Sequence, residues 1–426
     1  MSLVSQSNTG STPLEHLPCS AEDRQILTAQ KIDDHGPGTI LRDFDTLLEV
    51  VGVRGIAVTA QNYLLPLSAL VPLNARMTHP IELGLKRPQQ RSFPHLNALY
   101  LLLRASGLTD IEGRGTQWRL SLDQVVLESW HGLNPSERYF TLLETWLLHG
   151  RPEILAPDAG LYFPAPIGEW KQFVAEIPNG GRRIAGDPEE ASLVRSAPGL
   201  LTIGMLDLFG LITVEPGVPV VGKGWCIDRV HRTPWGDALL HVLSPALLSM
   251  PFLIRLDSEI DVPFGELQAI LQPWFPAWRR NLKHPEAVFR DGTYIFKVSW
   301  GRVWRRIAIA GQDPLDRLAH VIIDAFAFTA DHLYQFSYRN RFGVLVRINH
   351  PLLETGPPLT SEVRIGDLPL RSGEAMTYVY DFGVQWHFDV QLERLDPVDQ
   401  TLGQARILEA HGEAPVQYPW VDDEDD

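Results

Sequence analysis

Met376-Thr377-Tyr378-Val379-Tyr380-Asp381-Phe382-Gly383-Val384-Gln385-Trp386-His387 reads as the end of one strand, a tight bend and the start of the next. Thr377 to Phe382 and Gln385 to Leu395 are rich in β-branched and aromatic residues, and Gly383 between them is the expected bend. In the second strand Trp386, Phe388, Val390 and Leu392 alternate with His387, Asp389, Gln391 and Glu393. Successive side chains on a strand point to opposite faces, so one face is predicted apolar and the other polar.

Working outward, Thr293 to Trp300 also alternates, and Val303 to Ile309 places Val303, Arg305, Ile307 and Ile309 on one face. Asp313-Pro314-Leu315-Asp316 is an expected helix start, with Asp313 as cap, proline at the first helical position and an acid at the third. Leu315, Leu318, Ile322 and Phe326 then make one apolar helical face. His332 to Tyr338 is a further strand with His332, Tyr334, Phe336 and Tyr338 on one side. Strand, strand, helix, strand, strand, strand predicts an α+β domain over residues 292–420, one main helix packed on a mostly antiparallel sheet.

Several of these segments carry a resemblance. Val303-Trp304-Arg305-Arg306-Ile307, the amphipathic helix, Asp331-His332-Leu333-Tyr334-Gln335-Phe336 and Tyr380-Asp381-Phe382-Gly383 occur in the order found in the plasmid pRiA4b ORF-3-like family. Gly412-Glu413-Ala414-Pro415-Val416-Gln417-Tyr418-Pro419 resembles the family's closing segment. The family includes accessory proteins of transposable elements and carries no established biochemical activity, so the resemblance implies a fold and a mobile-element association but no reaction. Two departures matter. The family usually reads Asp-Phe-Gly-Asp-x-Trp, whereas Val384-Gln385 leaves out the second acid here, and the Cys- and Pro-rich ending of many members is missing. Chemistry built on those groups is not expected. The N-terminal part resembles the long extension of a bacterial subset of the family.

Residues 1–38 are polar and mixed and are expected to be mostly disordered. From Ile40, the spacing of Leu41, Phe44, Leu47, Leu48 and Val51 predicts a helix. Two similar arrangements follow. In the first, a helix carrying Leu96, Leu99, Tyr100 and Leu103 stops at Gly107. Strands at 108–112 and 117–122 come next, then a helix capped by Asp123, and another opened by Asn134-Pro135-Ser136-Glu137. In the second, a helix over 200–209 stops at Gly210, strands at 211–215 and 224–230 flank a Gly/Pro-rich turn, and Thr233-Pro234 opens a helix. This is the order of a winged-helix core and its wing. The expected organisation is two winged-helix-like, mainly helical regions at 39–150 and 151–255. A Pro/Trp-rich junction at 256–291, the α+β domain at 292–420 and an acidic tail at 421–426 complete it.

With 44% apolar and 21% charged residues the chain suits a globular protein. No apolar run approaches the roughly 18–20 residues of a membrane span. Met1-Ser2-Leu3-Val4 lacks the basic start and apolar stretch of a secretory signal, and Cys19 and Cys226 cannot form a disulfide framework or a four-thiolate zinc site, so a cytoplasmic protein is expected. The net charge of −15 disfavours generic nucleic-acid binding. Lys86, Arg87 and Arg91, and Arg182 with Arg183, are nonetheless clusters that could meet phosphate; the alternative for each is a solvated face or a set of ion pairs.

No Gly-x-Ser-x-Gly elbow, Walker loop, His-Glu-x-x-His or Gly-x-Gly-x-x-Gly occurs. Asp381-Phe382-Gly383 matches a kinase magnesium motif whose required companions are absent. The catalytic candidates are Asp381, His387 and His332. The ligand-binding candidates are Trp304, Arg305, Arg306, Tyr334, Tyr380 and Trp386, since aromatics with arginines alongside can stack bases. The structural reading of the same residues puts the aromatics and Phe382 in the core. It holds Asp381 at the bend through Arg305, Arg306 or backbone donors. No metal site and no cofactor are expected. The favoured function is a non-catalytic binding protein associated with a mobile element, taking nucleic acid or a protein partner. One alternative is an enzyme acting on nucleic acid or a nucleotide through Asp381 and His387 with Arg305 and Arg306. Another is a protein–protein adaptor.

Overall fold

The computed structural model describes residues 19–114, 116–155, 167–249, 263–286, 288–353, 356 and 358–418. The acidic tail at 421–426 and residues 1–18 lie outside the described residues. The chain divides into two compact units, Met1–His284 and Pro285–Asp426.

Among the described residues the first unit begins with α1 (Ala21–Ala29), so the expectation that residues 1–38 are mostly disordered is corrected over that stretch. The sequence there is polar overall, but Ser20 and Asp23 make a reciprocal capping box and Leu27 is fully buried. In α2 (Ile40–Val51) Leu41, Phe44, Leu47, Leu48 and Val51 are buried, as their spacing predicts. β1 (Ile56–Val58) and α3 (Leu67–Arg76) lead to α4 (Pro94–Ala105), whose twelve residues are all buried and which is the centre of this unit. Gly107 ends the turn after it with φ +70°, a conformation open to glycine at little cost.

β2 (Thr109–Arg114) and β3 (Gln117–Leu122) form an antiparallel hairpin, and β1 pairs with β3 to make a three-stranded sheet. Asp123 caps α5 (Gln124–His131), and Asn134 and Glu137 form the capping box of α6 (Pro135–Glu144), which continues as a π-helical turn to His149. After α7 (Ile167–Ala175), β4 (Arg182–Arg183), α8 (Pro188–Ser196) and α9 (Leu200–Leu208) comes a second hairpin. It pairs β5 (Ile212–Pro216) with β6 (Ile227–Arg232), and β4 lies on the other side of β6. α10 (Pro234–Ser249) and the short α11 (Gln268–Leu271) complete the unit. Its largely aliphatic core includes stacked aromatic pairs: Phe140 lies on Trp278 at 4.7 Å and Trp146 on Trp170 at 4.1 Å.

The second unit is one seven-stranded antiparallel sheet with a helix. Its elements are β7 (Thr293–Trp300), β8 (Val303–Ala310), α12 (Leu315–Ala325), β9 (Tyr334–Arg339), β10 (Leu345–Asn349), β11 (Ala375–Tyr380), β12 (Trp386–Asp396) and β13 (Arg406–His411). The strand order is β10-β9-β11-β12-β7-β8-β13. The chain is therefore of mixed α+β class, as predicted. Trp386, Phe388, Val390 and Leu392 are buried while His387 and Asp389 are exposed, which is the alternation read from β12. β10 and β13, the two edge strands, go beyond the five strands expected; all six residues of β13 are exposed, so it has no apolar face to betray it.

The start of α12 differs from expectation. Asp313 does not cap it; its carboxylate lies 3.4 Å from Nε of Arg317. The first free N–H groups, of Leu315 and Asp316, instead donate to the carbonyls of Val363 and Thr360 at 2.8 and 2.9 Å. Leu315, Leu318, Ala319, Ile322 and Ile323 face a core that includes Tyr334, Phe336, Tyr378 and Phe388.

Candidate functional site

In the second unit the sequence candidates centre on the bend after β11. Asp381 has φ +57° and Gln385 φ +60°, so these two residues, not Gly383, take the left-handed conformation. Gln385 N–H donates to the Asp381 carbonyl at 2.6 Å, which closes the turn, and Asp381 N–H donates to the Leu333 carbonyl at 3.0 Å. Oδ1 of the buried Asp381 carboxylate accepts the N–H groups of Gly383 at 2.9 Å and Val384 at 3.3 Å. Phe382 is 40% exposed, which corrects its expected place in the core.

Of the two expected arrangements, backbone donors rather than Arg305 or Arg306 hold Asp381. Arg305 is buried and gives its N–H groups to the carbonyls of Ala325, Trp304, His411 and Gly412. Arg306 pairs with Glu393 and Glu409. Glu409 lies opposite Arg306 in the β13–β8 register, so one of the two partners sits on a strand that has no sequence signal, while the other, Glu393, lies on β12.

Nε2 of His332 lies 3.6 Å from Oδ2 of Asp381 and 3.7 Å from Oδ1 of Asp331. Tyr380 locks the segment beside it: its hydroxyl accepts the N–H groups of Asp331 and His332, both at 3.2 Å, and donates to the Thr329 carbonyl. The bend therefore gathers Asp381, His332 and Tyr380. His387 lies exposed on β12, and neither Arg305 nor Arg306 reaches Asp381.

Tyr334, Tyr380 and Trp386 are buried, which removes them from any base-stacking surface. Burial, and then its bond to Asp316, push the Tyr334 phenol above its ordinary range. Trp304 is half-buried and already engaged. Its ring lies 4.9 Å from Nζ of Lys297 and 5.2 Å from the Arg306 guanidinium, and it stacks on His411.

The basic candidates lie in the first unit. Arg182 is bound to Glu190, sits 3.7 Å from Glu176 and covers the Phe173 ring, so its charge is neutralised; Arg183 is exposed on β4. Lys86, Arg87 and Arg91 are exposed on the segment before α4. That segment is tied to the β5–β6 loop: Gly84 N–H donates to the Lys223 carbonyl at 3.1 Å, and Gly222 N–H to the Gly84 carbonyl at 2.8 Å. The approach requires glycine at 84, because a Cβ there would lie 1.8 Å from the Val220 carbonyl oxygen.

The result is a surface concavity of about 320 Å³ lined by Arg91, Ser92, Arg195, Leu200, Gly222, Lys223, Gly224 and Trp225. Arg195 and Lys223 carry no sequence signal, since each is an isolated cation that tertiary contact alone brings to Arg91. Among the described residues none of Lys86, Arg87, Arg91, Arg195 and Lys223 has an acidic partner within salt-bridge distance. No group of three or more His, Cys, Asp or Glu among the described residues could hold a metal ion, and no described helix is long and apolar enough to cross a membrane.

The second unit is a helix-backed antiparallel α+β domain whose Asp-Phe-Gly bend is held by its own backbone. Residues 297–417 match the family model of the plasmid pRiA4b ORF-3-like protein, so the resemblance carried by the Trp-Arg-Arg, His-Leu-Tyr and Tyr-Asp-Phe-Gly segments is borne out there. The chain is also similar to the uncharacterized protein y4hQ of Sinorhizobium fredii, 32% identical over 124 residues that make up 28% of this chain and 61% of that protein. Among solved structures it is similar to a protein of unknown function, MM3350 from Methanosarcina mazei Go1. The identity there is 24%, with 29% of this chain and 72% of that one covered and a TM-score of 0.26.

Proposed function

We propose that the chain is a non-catalytic binding protein associated with a mobile element, and that its target is nucleic acid held by the first unit. The observation that carries this reading is the convergence of Arg91, Arg195 and Lys223 on one concavity, with no acid among the described residues that line it. In a chain of net charge −15, attraction to phosphate must come from such a local patch rather than from the long-range field. The winged-helix-like organisation of 39–150 and 151–255 belongs to the same proposal. It is supported by the two hairpins, β2–β3 and β5–β6, each standing between a preceding and a following helix.

The enzyme alternative loses support because Asp381 spends one carboxylate oxygen on Gly383 and Val384 and stands apart from Arg305 and Arg306. A protein partner remains a second reading. Val218 and Val221 are 84% and 89% exposed on the β5–β6 loop, and apolar groups there suit a protein surface. The test is a titration of the full chain with a labelled random-sequence duplex at rising salt. Each phosphate neutralised contributes about −0.9 to the slope of log K against log salt, so the expected slope lies between about −0.9 for one phosphate and about −2.7 for three. No binding at low salt would shift the reading to the protein partner.

A further inference from the structure

We infer that the concavity lined by Arg91, Arg195 and Lys223 is a pocket for a phosphomonoester, the terminal phosphate of a nucleic-acid strand or of a smaller phosphorylated compound. The inference rests on the nucleic-acid reading only for what is attached to the phosphate.

Three separate stretches of chain deliver the cations: the turn before α4, the last turn of α8 and the β5–β6 loop. The chain carries 52 acids against 37 lysines and arginines, yet none of the described residues that line this concavity is an acid. Like charges held together repel, so the arrangement persists because the frame beneath it is fixed. The loop is pinned by the Gly84 hydrogen bonds. Trp225 is buried against the His95 ring at 5.0 Å, and His95 in turn lies 2.9 Å from the Asp207 carboxylate. The α8 helix is anchored by buried Val194.

The donors match phosphate. Two guanidiniums offer planar forks of N–H groups and Lys223 adds a point charge. The Ser92 hydroxyl accepts the Gln89 N–H at 3.1 Å, which leaves its proton to donate. Leu200 is the first residue of α9, and the N-cap Gly199 supplies no side chain to that helix end, so its positive dipole end adds to the same field.

Convergence distinguishes an end from a backbone. A surface that tracks phosphodiesters spreads its cations along a line, one charge to each phosphate. Here three cations meet at one place, which suits the charge of about −1.5 to −2 on a monoester at neutral pH. A carboxylate has one charge and two oxygens and would leave donors unused. The volume of about 320 Å³ exceeds a phosphate group and has room for the sugar or other group that bears it.

The test uses the full chain at constant ionic strength. Fluorescence anisotropy compares a 5′-phosphorylated and a 5′-hydroxyl oligonucleotide of one sequence, and inorganic phosphate is titrated as a competitor and, separately, in thermal denaturation. Arg195→Gln and Lys223→Gln remove exposed charges, so both variants are expected to melt like the parent. The expected result is at least tenfold tighter binding of the phosphorylated end, competition by inorganic phosphate, and loss of the preference in either variant. Equal affinity for both ends, or a preference that survives both substitutions, overturns the pocket and leaves the nucleic-acid reading standing. Binding of inorganic phosphate, abolished by the variants, with no oligonucleotide binding supports the pocket, assigns a small phosphorylated ligand and overturns the nucleic-acid reading. Absence of both interactions overturns both.

Discussion

Oδ1 of Asp381 accepts the N–H of Gly383 at 2.9 Å, across a bend in which Asp381 itself has φ +57°. This contact decides what a substitution does. Asn keeps an acceptor at Oδ1 and tolerates the left-handed conformation, so Asp381→Asn loses charge assistance and the carboxylate facing half-exposed His332, and is expected to destabilise by about 0.5–1.5 kcal/mol. Ala removes the acceptor and strains the backbone, so Asp381→Ala should cost about 2–4 kcal/mol. Urea denaturation of the two variants checks the order. A loss of about 3–5 kcal/mol for Asn alone would indicate a broken buried ion pair, contrary to the geometry.

The first unit buries two titratable groups with opposite effects. Glu144 is fully buried and accepts the N–H groups of Gly265 and Leu267, and burial pushes its carboxyl up to about 7. His149 is stacked on Phe264 at 4.4 Å, and burial pushes its imidazole down to about 3. Between pH 4.5 and 7 the folded state holds the Glu144 proton more tightly than the unfolded chain, so this group's contribution falls as pH rises. His149 is neutral when folded while the unfolded chain takes up a proton below about pH 6.5, so its contribution rises with pH from 3 to 6.5. The two slopes oppose each other between about pH 4.5 and 6.5. Glu144→Gln is expected to make stability rise with pH there, and His149→Phe to make it fall, each by up to about 1.4 kcal/mol per pH unit. Melting curves across that range would detect it, and unchanged profiles in both variants would contradict it.

Gly84→Ala places a methyl group on the Val220 carbonyl. We expect a loss of about 1–3 kcal/mol and faster amide exchange at Gly222, whose N–H donates to Gly84. Exchange rates in residues 293–411 should not change, because the site lies in the other compact unit.

Residues 285–426 hold a core of their own in which α12 packs on one face of the sheet. A fragment of those residues is expected to melt cooperatively, and Phe388→Ala to destabilise it by about 3–5 kcal/mol. A fragment without a cooperative transition would show that this core depends on the rest of the chain.

What could be read from the sequence follows from how local each cause is. The β12 alternation, the α2 spacing, the Asp123 cap and the Asn134–Glu137 capping box each reside within a few residues, and each is observed. The failures lie where a distant partner wins. Asp313 looks like a cap, but the 360–363 segment reaches the helix end first. Arg306 finds Glu409 on an edge strand with no apolar face. Arg91 lay within a visible basic cluster, while Arg195 and Lys223 join it only through the docking of the β5–β6 loop and α8. Phe382 obeys the aromatic composition of its strand but occupies the bend, where the chain turns it to solvent.

The most direct test of the account is the salt dependence of duplex binding by the full chain, compared with the triple variant Arg91→Gln, Arg195→Gln, Lys223→Gln. The expected result is a negative slope in log K against log salt for the parent, between about −0.9 and −2.7 for one to three phosphates neutralised, and a slope near zero, with weak binding, for the variant. Undetectable binding by the parent at low salt, or an identical slope in the variant, would contradict it.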